Sequence, residues 1–202
     1  MAYSTLIFDL SEVLIHGLWG AERLLAEHLG LPEKRLAQEL WIPWATALFE
    51  GRLTEHEYLR EVIRRGGWKG ISPEEVGRYL RQNFCQQVPG MEQVIQNLAE
   101  HYELALLSDH AREWVDFIHK QHGVLNCFSQ QFFSFELRHT KRERVTFLTV
   151  LHQLRRPAAD CIFIDDLPVN IEVARSVGIH GIQFTGAAAL TAELRALGIS
   201  VD

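Results

Sequence analysis

Cysteine is scarce in this chain, and what there is does not pair. Cys85, Cys127 and Cys161 are odd in number and far apart, so they suggest neither a disulfide framework nor a zinc site, and a reducing compartment fits best. Basic charge is also short. Twenty Lys and Arg against 26 Asp and Glu leave a formal charge of -6. The longest basic clusters, Arg64-Arg65 and Arg155-Arg156, are the kind found on solvated helix faces. Nothing in that balance supports a nucleic-acid partner bound through its phosphates. Long apolar runs are missing too: no stretch approaches the roughly 18 residues of a membrane span. The opening MAYSTLIFDLSEVLIHG has no basic leader and is interrupted by Asp9, so no secretory signal or membrane partner is expected and the chain is read as cytoplasmic. Internal repeats, low-complexity segments and flexible linkers are likewise missing. What is present is 202 residues, 47% hydrophobic and 23% charged, enough for one globular domain or for one with a small second domain.

The periodicity favours two domains. Residues 3 to 10, YSTLIFDL, read as a nearly continuous apolar strand of the kind a parallel sheet buries on both faces. The next strand signal is ELALLS at 103 to 108. Between them lie helical patterns: one ends near Gly30, one starts after Pro32, and two more open with the capping boxes Thr54/Glu57 and Ser72/Glu75. The spacing therefore predicts an all-helical insertion over 15–88 within a domain made of 1–14 and 89–202. From residue 90 the pattern alternates: a helix from Met91, the strand at 103, a helix from Arg112, and a strand around 132 to 134. A helix over about 142–154 follows, then the strand CIFID at 161 to 165, a helix near 170–177, the strand GIQF at 181 to 184 and a last helix. Such alternation implies right-handed crossovers and a Rossmann-like parallel α/β sheet.

In an open parallel sheet, ligands gather outside the carboxyl ends of the strands. The first strand ends in Asp9, followed by Ser11 and Glu12; the second ends in Ser108 and Asp109; the CIFID strand ends in Asp165 and Asp166. Lys141 opens the helix between the last two of these strands. Taken singly, each acid is equally at home as a helix cap or turn residue, and Lys141 as a surface charge. Their order and placement at strand ends carry the joint reading. Several carboxylates converging on one edge repel one another unless a hard cation with oxygen ligands resolves the repulsion, and Mg²⁺ is the expected cofactor.

These residues carry a family resemblance that covers essentially the whole chain. IFDLSEVL, LALLSDH, SFELRHTKRERVTF and FIDDLPVNIEVARSVGIHGIQF resemble, in order, the four motifs of the haloacid dehalogenase superfamily, in the subgroup with a helical cap after the first motif. The similarity is greatest to sugar-phosphate phosphatases and to the phosphatase-like domain of soluble epoxide hydrolases. The resemblance implies that Asp9 attacks a phosphoryl group and forms an aspartyl-phosphate. It also implies that Mg²⁺ is held by Asp9, the backbone carbonyl of Ser11 and Asp166, with Asp165 acting directly or through water. Ser108 and Lys141 would hold the phosphoryl oxygens, and the substrate would be a small phosphorylated metabolite. The paired acids Asp165 and Asp166 favour phosphate over halide, because the dehalogenase branch lacks them.

The sequence departs from the family pattern at several points. Ser11 stands where a second acid usually protonates the leaving group, and a hydroxyl has no suitable pKa for that role. Glu12 occupies a place often held by Gly and is expected to face solvent. Asp109 replaces a common Asn and, if ionised, would repel a phosphate dianion. Arg142 replaces a usual Pro. These changes keep open an alternative: a slow or inactive relative that binds a metabolite or a protein partner. Within 15–88, Trp41 and Trp44 flank Pro43 and are candidates to line the substrate cavity, against the general tendency of aromatics to fill a small subdomain's own core.

Overall fold

The structure is a computed structural model and describes residues 3–40 and 44–201. Five short strands form one parallel sheet: β1 (Thr5–Phe8), β2 (Glu103–Ser108), β3 (Gln130–Phe133), β4 (Cys161–Asp165) and β5 (His180–Gln183). Their order is β3-β2-β1-β4-β5, so β1 is central, with Ile7 opposite Ala105 on one side and Phe163 on the other. The three central strands, β1, β2 and β4, are short, largely apolar runs because both faces are covered, whereas the edge strands β3 (QQFF) and β5 (HGIQ) carry polar residues. Alternation sorts the side chains: Leu6, Phe8, Leu104, Leu106, Ile162 and Ile164 belong to one apolar cluster, whereas Ile7, Ala105, Leu107 and Phe163 belong to a second. Phe147 and Ile171 fill the second cluster from the helices below.

Five helices lie between β1 and the helix preceding β2: α1 (Ala21–Leu29), α2 (Glu33–Leu40), α3 (Trp44–Phe49), α4 (Glu55–Gly66) and α5 (Pro73–Phe84). Both expected capping boxes form: Thr54 and Glu57 open α4, and Ser72 and Glu75 open α5, where Pro73 takes the first turn. Each Ser or Thr cap contributes about 1 kcal/mol. The segments running into and out of these helices are tied together, since the His16 N–H donates to Gln86 O (2.9 Å) and the Val88 N–H to Leu14 O (2.9 Å). The remaining helices are α6 (Met91–Ala99), α7 (Arg112–Gln121), α8 (Ser134–Leu137), α9 (Arg144–Leu154), α10 (Pro168–Ser176) and α11 (Ala187–Ala196). Leu80 and Phe84 of α5 and Trp114 of α7 share one cluster with Leu6 and Phe8, so the apolar interior runs without a break from the inserted helices to the sheet.

Some boundaries differ from the sequence expectation, with local causes. β1 ends at Phe8 because Asp9 and Leu10 turn out of the sheet. α9 begins at Arg144, two residues late, so Lys141 sits in the preceding turn rather than opening the helix. There the Lys141 N–H donates to both carboxylate oxygens of Asp109 (3.0 and 3.2 Å), and Thr146 Oγ1 donates to Thr140 O (2.6 Å). Those bonds satisfy the segment without helical geometry. β3 stops at Phe133, and Ser134 starts the short α8 while its Oγ accepts from the His110 N–H (3.1 Å). Among the described residues no helix is long and apolar enough to cross a membrane.

Candidate active site

Asp9 leaves β1 at its carboxyl end, where its N–H still donates to Ile164 O of β4 (2.9 Å). That bond places its side chain beside the end of β4. Asp165 closes β4, and Asp166 follows in the turn before α10. One carboxylate oxygen from each of Asp9, Asp165 and Asp166 lies within 4.8 Å of the others. Lys141 reaches the same point from the turn before α9, with Nζ 2.6 Å from Asp9 Oδ2 and 2.7 Å from Asp165 Oδ2. Asp9, Lys141 and Asp165 are all buried. Two strand ends and one turn thus bring four charged side chains to a single spot at the sheet's carboxyl edge.

The two acids of the fourth motif are held differently. Asp165 accepts from Lys141 Nζ, from the Leu167 N–H (2.8 Å to Oδ1) and from Asn170 Nδ2 (3.0 and 3.1 Å). Asp166 is half-buried and lines the cavity above. Burial, followed by the Asp165 charge, pushes the Asp166 carboxyl up to about 6. Burial also raises Asp9 well above the ordinary carboxylate range; Lys141 opposes that rise, while Asp165 and Asp166 add to it. Burial alone would lower Lys141, but Asp165, Asp9 and Asp109 outweigh it and hold the ammonium charged. The protein leaves its own negative charge incompletely compensated here. All-oxygen donors in that state suit a hard divalent cation.

Ser108 ends β2, buried, and its Oγ has no hydrogen-bond partner in the protein. Ser108 itself is not among the residues that line the cavity. Asp109 does line the cavity, but its carboxylate is engaged with the Lys141 N–H, and burial raises it to about 6. The expected repulsion is therefore softened, and the side chain has a structural use, fixing the turn that carries Lys141. Ser11 lines the cavity, and a Cβ on Gly17 would come within 2.7 Å of its Cβ, so the first-motif turn is packed against the segment leading to α1. Glu12 does not face open solvent. It adopts φ 59°, lines the cavity, and its Oε1 accepts from the Gly17 N–H (2.7 Å).

The cavity holds about 330 Å³. Trp41 lies outside the described residues, and so does the side chain of Trp44, which opens α3. The aromatic lining that is described comes from Trp19, from Phe49 of α3 and from Trp114 of α7. Sequence reasoning missed these, together with His110 and Asn170. Asn170 follows the paired acids within the fourth motif, and Trp114 falls one helical turn after His110; both spacings were readable signals. His110 is buried against Phe84 and Trp114, ring centroids 5.6 Å away in each case, and burial followed by the nearby Lys141 charge drives it down to about 3, so it is neutral.

Fold and site together define a Rossmann-like α/β protein whose sheet edge gathers three carboxylates and a lysine. The chain belongs to the haloacid dehalogenase-like hydrolases, whose family model matches residues 3–178. It is 25% identical over 202 residues, 98% of this chain and 78% of the relative, to the chloroplast protein flavin mononucleotide hydrolase 1 of Arabidopsis thaliana. A haloacid dehalogenase-family enzyme of Bacteroides thetaiotaomicron, crystallised with magnesium and inorganic phosphate, superposes with a TM-score of 0.74 at 19% identity, covering 92% of this chain and 96% of that one. A predicted hydrolase of the same family from Porphyromonas gingivalis gives 0.76 at 22% identity, covering 96% and 99%. At these identities the two structures speak for the fold.

Proposed function

We propose that the protein is a magnesium-dependent phosphatase that hydrolyses a small phosphorylated metabolite through an aspartyl-phosphate on Asp9. The observation that carries this reading is the convergence of Asp9, Asp165 and Asp166 within 4.8 Å, bridged by Lys141. The donor set fits magnesium, and the partnerless buried hydroxyl of Ser108 is suited to a phosphoryl oxygen. Asp9, Asp166 and the Ser11 carbonyl would hold the ion, with Asp165 positioned by Asn170 behind them. When bound, the ion would supply positive charge to the phosphoryl oxygens and relieve the crowded acids.

The chain's own residues divide the remaining work. An Asp9 carboxylate oxygen attacks phosphorus in line, so a bond forms between that oxygen and phosphorus while the bond from phosphorus to the ester oxygen breaks. With Ser11 in place of an acid, the departing oxygen takes its proton from solvent water and leaves as an alcohol, the proton balance being closed by the water that later attacks phosphorus. Water then attacks phosphorus, phosphate departs and the Asp9 carboxylate is regenerated. Lys141 neutralises charge on the phosphoryl oxygens through both steps, and Asp109 keeps its backbone in place. Helices α1–α5, within 15–88, would form a cap that limits water at this site. The plant relative is named for the hydrolysis of flavin mononucleotide, itself a phosphomonoester, which supports the reaction class.

The test is hydrolysis of a generic aryl phosphate with and without magnesium, beside Asp9→Asn. Activity that needs both magnesium and Asp9 is expected, and equal background rates for the two proteins, together with no magnesium-dependent trapping by beryllium fluoride, would overturn the reading. Ser11 favours one variant of it: stable magnesium-dependent trapping by beryllium fluoride together with no turnover would point to a phosphoenzyme that forms but hydrolyses slowly.

A further inference from the structure

The cavity has two unlike halves. Its floor is the charged cluster around Asp9 and Lys141. Its wall is made of Leu18, Trp19, Ala45, Phe49 and Trp114. Of the polar groups on that wall, the indole N–H of Trp114 is engaged within the protein, while the buried Nδ1 of His110 has no partner there. Trp114 Nε1 donates to Glu55 Oε1 (2.8 Å), and Glu55 is itself gripped by both terminal nitrogens of Arg81 (2.5 and 2.6 Å). His110 stays neutral between Phe84 and Trp114. Thr46 carries a hydroxyl beside this wall, and Ser11 and Thr140 also line the cavity.

The wall is also fixed in place. Buried Asn83 of α5 donates from Nδ2 to Gly17 O (2.6 Å) and Trp19 O (2.8 Å), anchoring the backbone that presents Trp19. Trp19 is 48% exposed, an apolar ring at the cavity rather than in the core. A polyol leaving group would bury hydroxyls against this surface, and each one left without a partner costs about tenfold or more in binding. A flat apolar group would lose little and gain ring contacts. The volume of about 330 Å³ equals that of about eleven water molecules, room for a phosphate and one ring system.

From this geometry we infer that the cavity selects phosphate monoesters whose leaving group is a flat, apolar ring system, and that Trp19 is the specificity-determining residue. The inference rests on the phosphatase reading for its chemistry but is tested separately from it. The probes are 2-phenylethyl phosphate and glycerol 1-phosphate, both primary alkyl esters and therefore of similar intrinsic lability. Their phosphonate counterparts, 2-phenylethylphosphonate and 2,3-dihydroxypropylphosphonate, are measured for binding by calorimetry in the presence of magnesium. The wild-type protein is expected to favour the phenylethyl member of each pair by about tenfold or more. Trp19→Ala should reduce that ratio roughly three- to tenfold, and Trp19→Phe should restore most of it. A wild-type ratio near or below one, a ratio unmoved by Trp19→Ala, or no binding of either phosphonate at millimolar concentration overturns the inference. Selective phosphonate binding without hydrolysis of either ester would instead refute the phosphatase reading and leave this one standing.

Discussion

Lys141→Met keeps the aliphatic stem of the side chain and deletes its charge, which makes it a direct probe of the buried cluster. Nζ lies 2.6 and 2.7 Å from oxygens of two buried carboxylates. At an effective dielectric constant near 20, each contact corresponds to about 6 kcal/mol of Coulomb energy, much of it offset by the cost of burying the ammonium. Removing one partner from such an arrangement costs about 3–5 kcal/mol, a large share of a domain's total stability. The loss should depend on pH. Asp9 is already raised well above its ordinary value, chiefly by burial, and Lys141 is the largest influence holding it down. Without Lys141 the carboxyl rises further, so the folded state retains a proton that the unfolded chain has released. A group of that kind leaves stability intact below its unfolded pKa and erodes it as pH climbs to the folded pKa. Urea unfolding without added metal should therefore show about 3–5 kcal/mol lost at pH 7.5 and clearly less at pH 5, with millimolar magnesium recovering part of the loss at the higher pH. A loss under about 1 kcal/mol at pH 7.5, or one of equal size at both pH values, would show that the cluster is not the buried, undercompensated site described above.

Ser11→Asp restores an ionisable group at the position where the chain has a hydroxyl; if proton transfer limits turnover, kcat should rise by about 10²-fold, read by phosphate release, and an unchanged rate would place the slow step elsewhere. Asp109→Asn keeps an acceptor for the Lys141 N–H and should hold kcat/KM within about threefold, whereas Asp109→Ala should lower it by about tenfold; identical effects would refute a positioning role. Phe163→Ala removes a fully buried ring that meets Phe147 edge to face at 5.0 Å, and denaturant unfolding should register a loss of about 3–5 kcal/mol. Saturating magnesium should tighten inorganic phosphate, and phosphate should tighten magnesium by the same factor; calorimetric affinities independent of each other would contradict a shared site.

The parts of the molecule legible in the sequence are those fixed by local chemistry. Strand alternation around Ile7 and Phe163, the two capping boxes and the acids at strand ends each follow from neighbours in the chain. Lys141 was placed correctly as a residue of the sheet edge but incorrectly at a helix start, because its N–H is claimed by Asp109, 32 residues earlier. The substrate wall was harder to foresee. Trp19 and Trp114 are far apart in sequence, and their neighbourhood depends on Asn83 and Glu55 reaching across from α5 and α4. Trp41 and the side chain of Trp44 lie outside the described residues.

The charge distribution ties these observations together. Residues 15–88 carry ten basic and ten acidic side chains, so the excess behind the net charge of -6 lies in the sheet-bearing part of the chain. Within that part, Asp9, Asp109 and Asp166 are all raised, and burial is the leading cause for each. Burial has taken these carboxylates out of water, and Lys141, with Arg142 acting on Asp109, does not offset it. On the proposed function, an anionic ester approaching this edge would meet repulsion from these acids until a cation is added. The same acids that would repel phosphate are the ones suited to hold the ion that admits it, so cation binding and phosphate binding should be ordered events at one site.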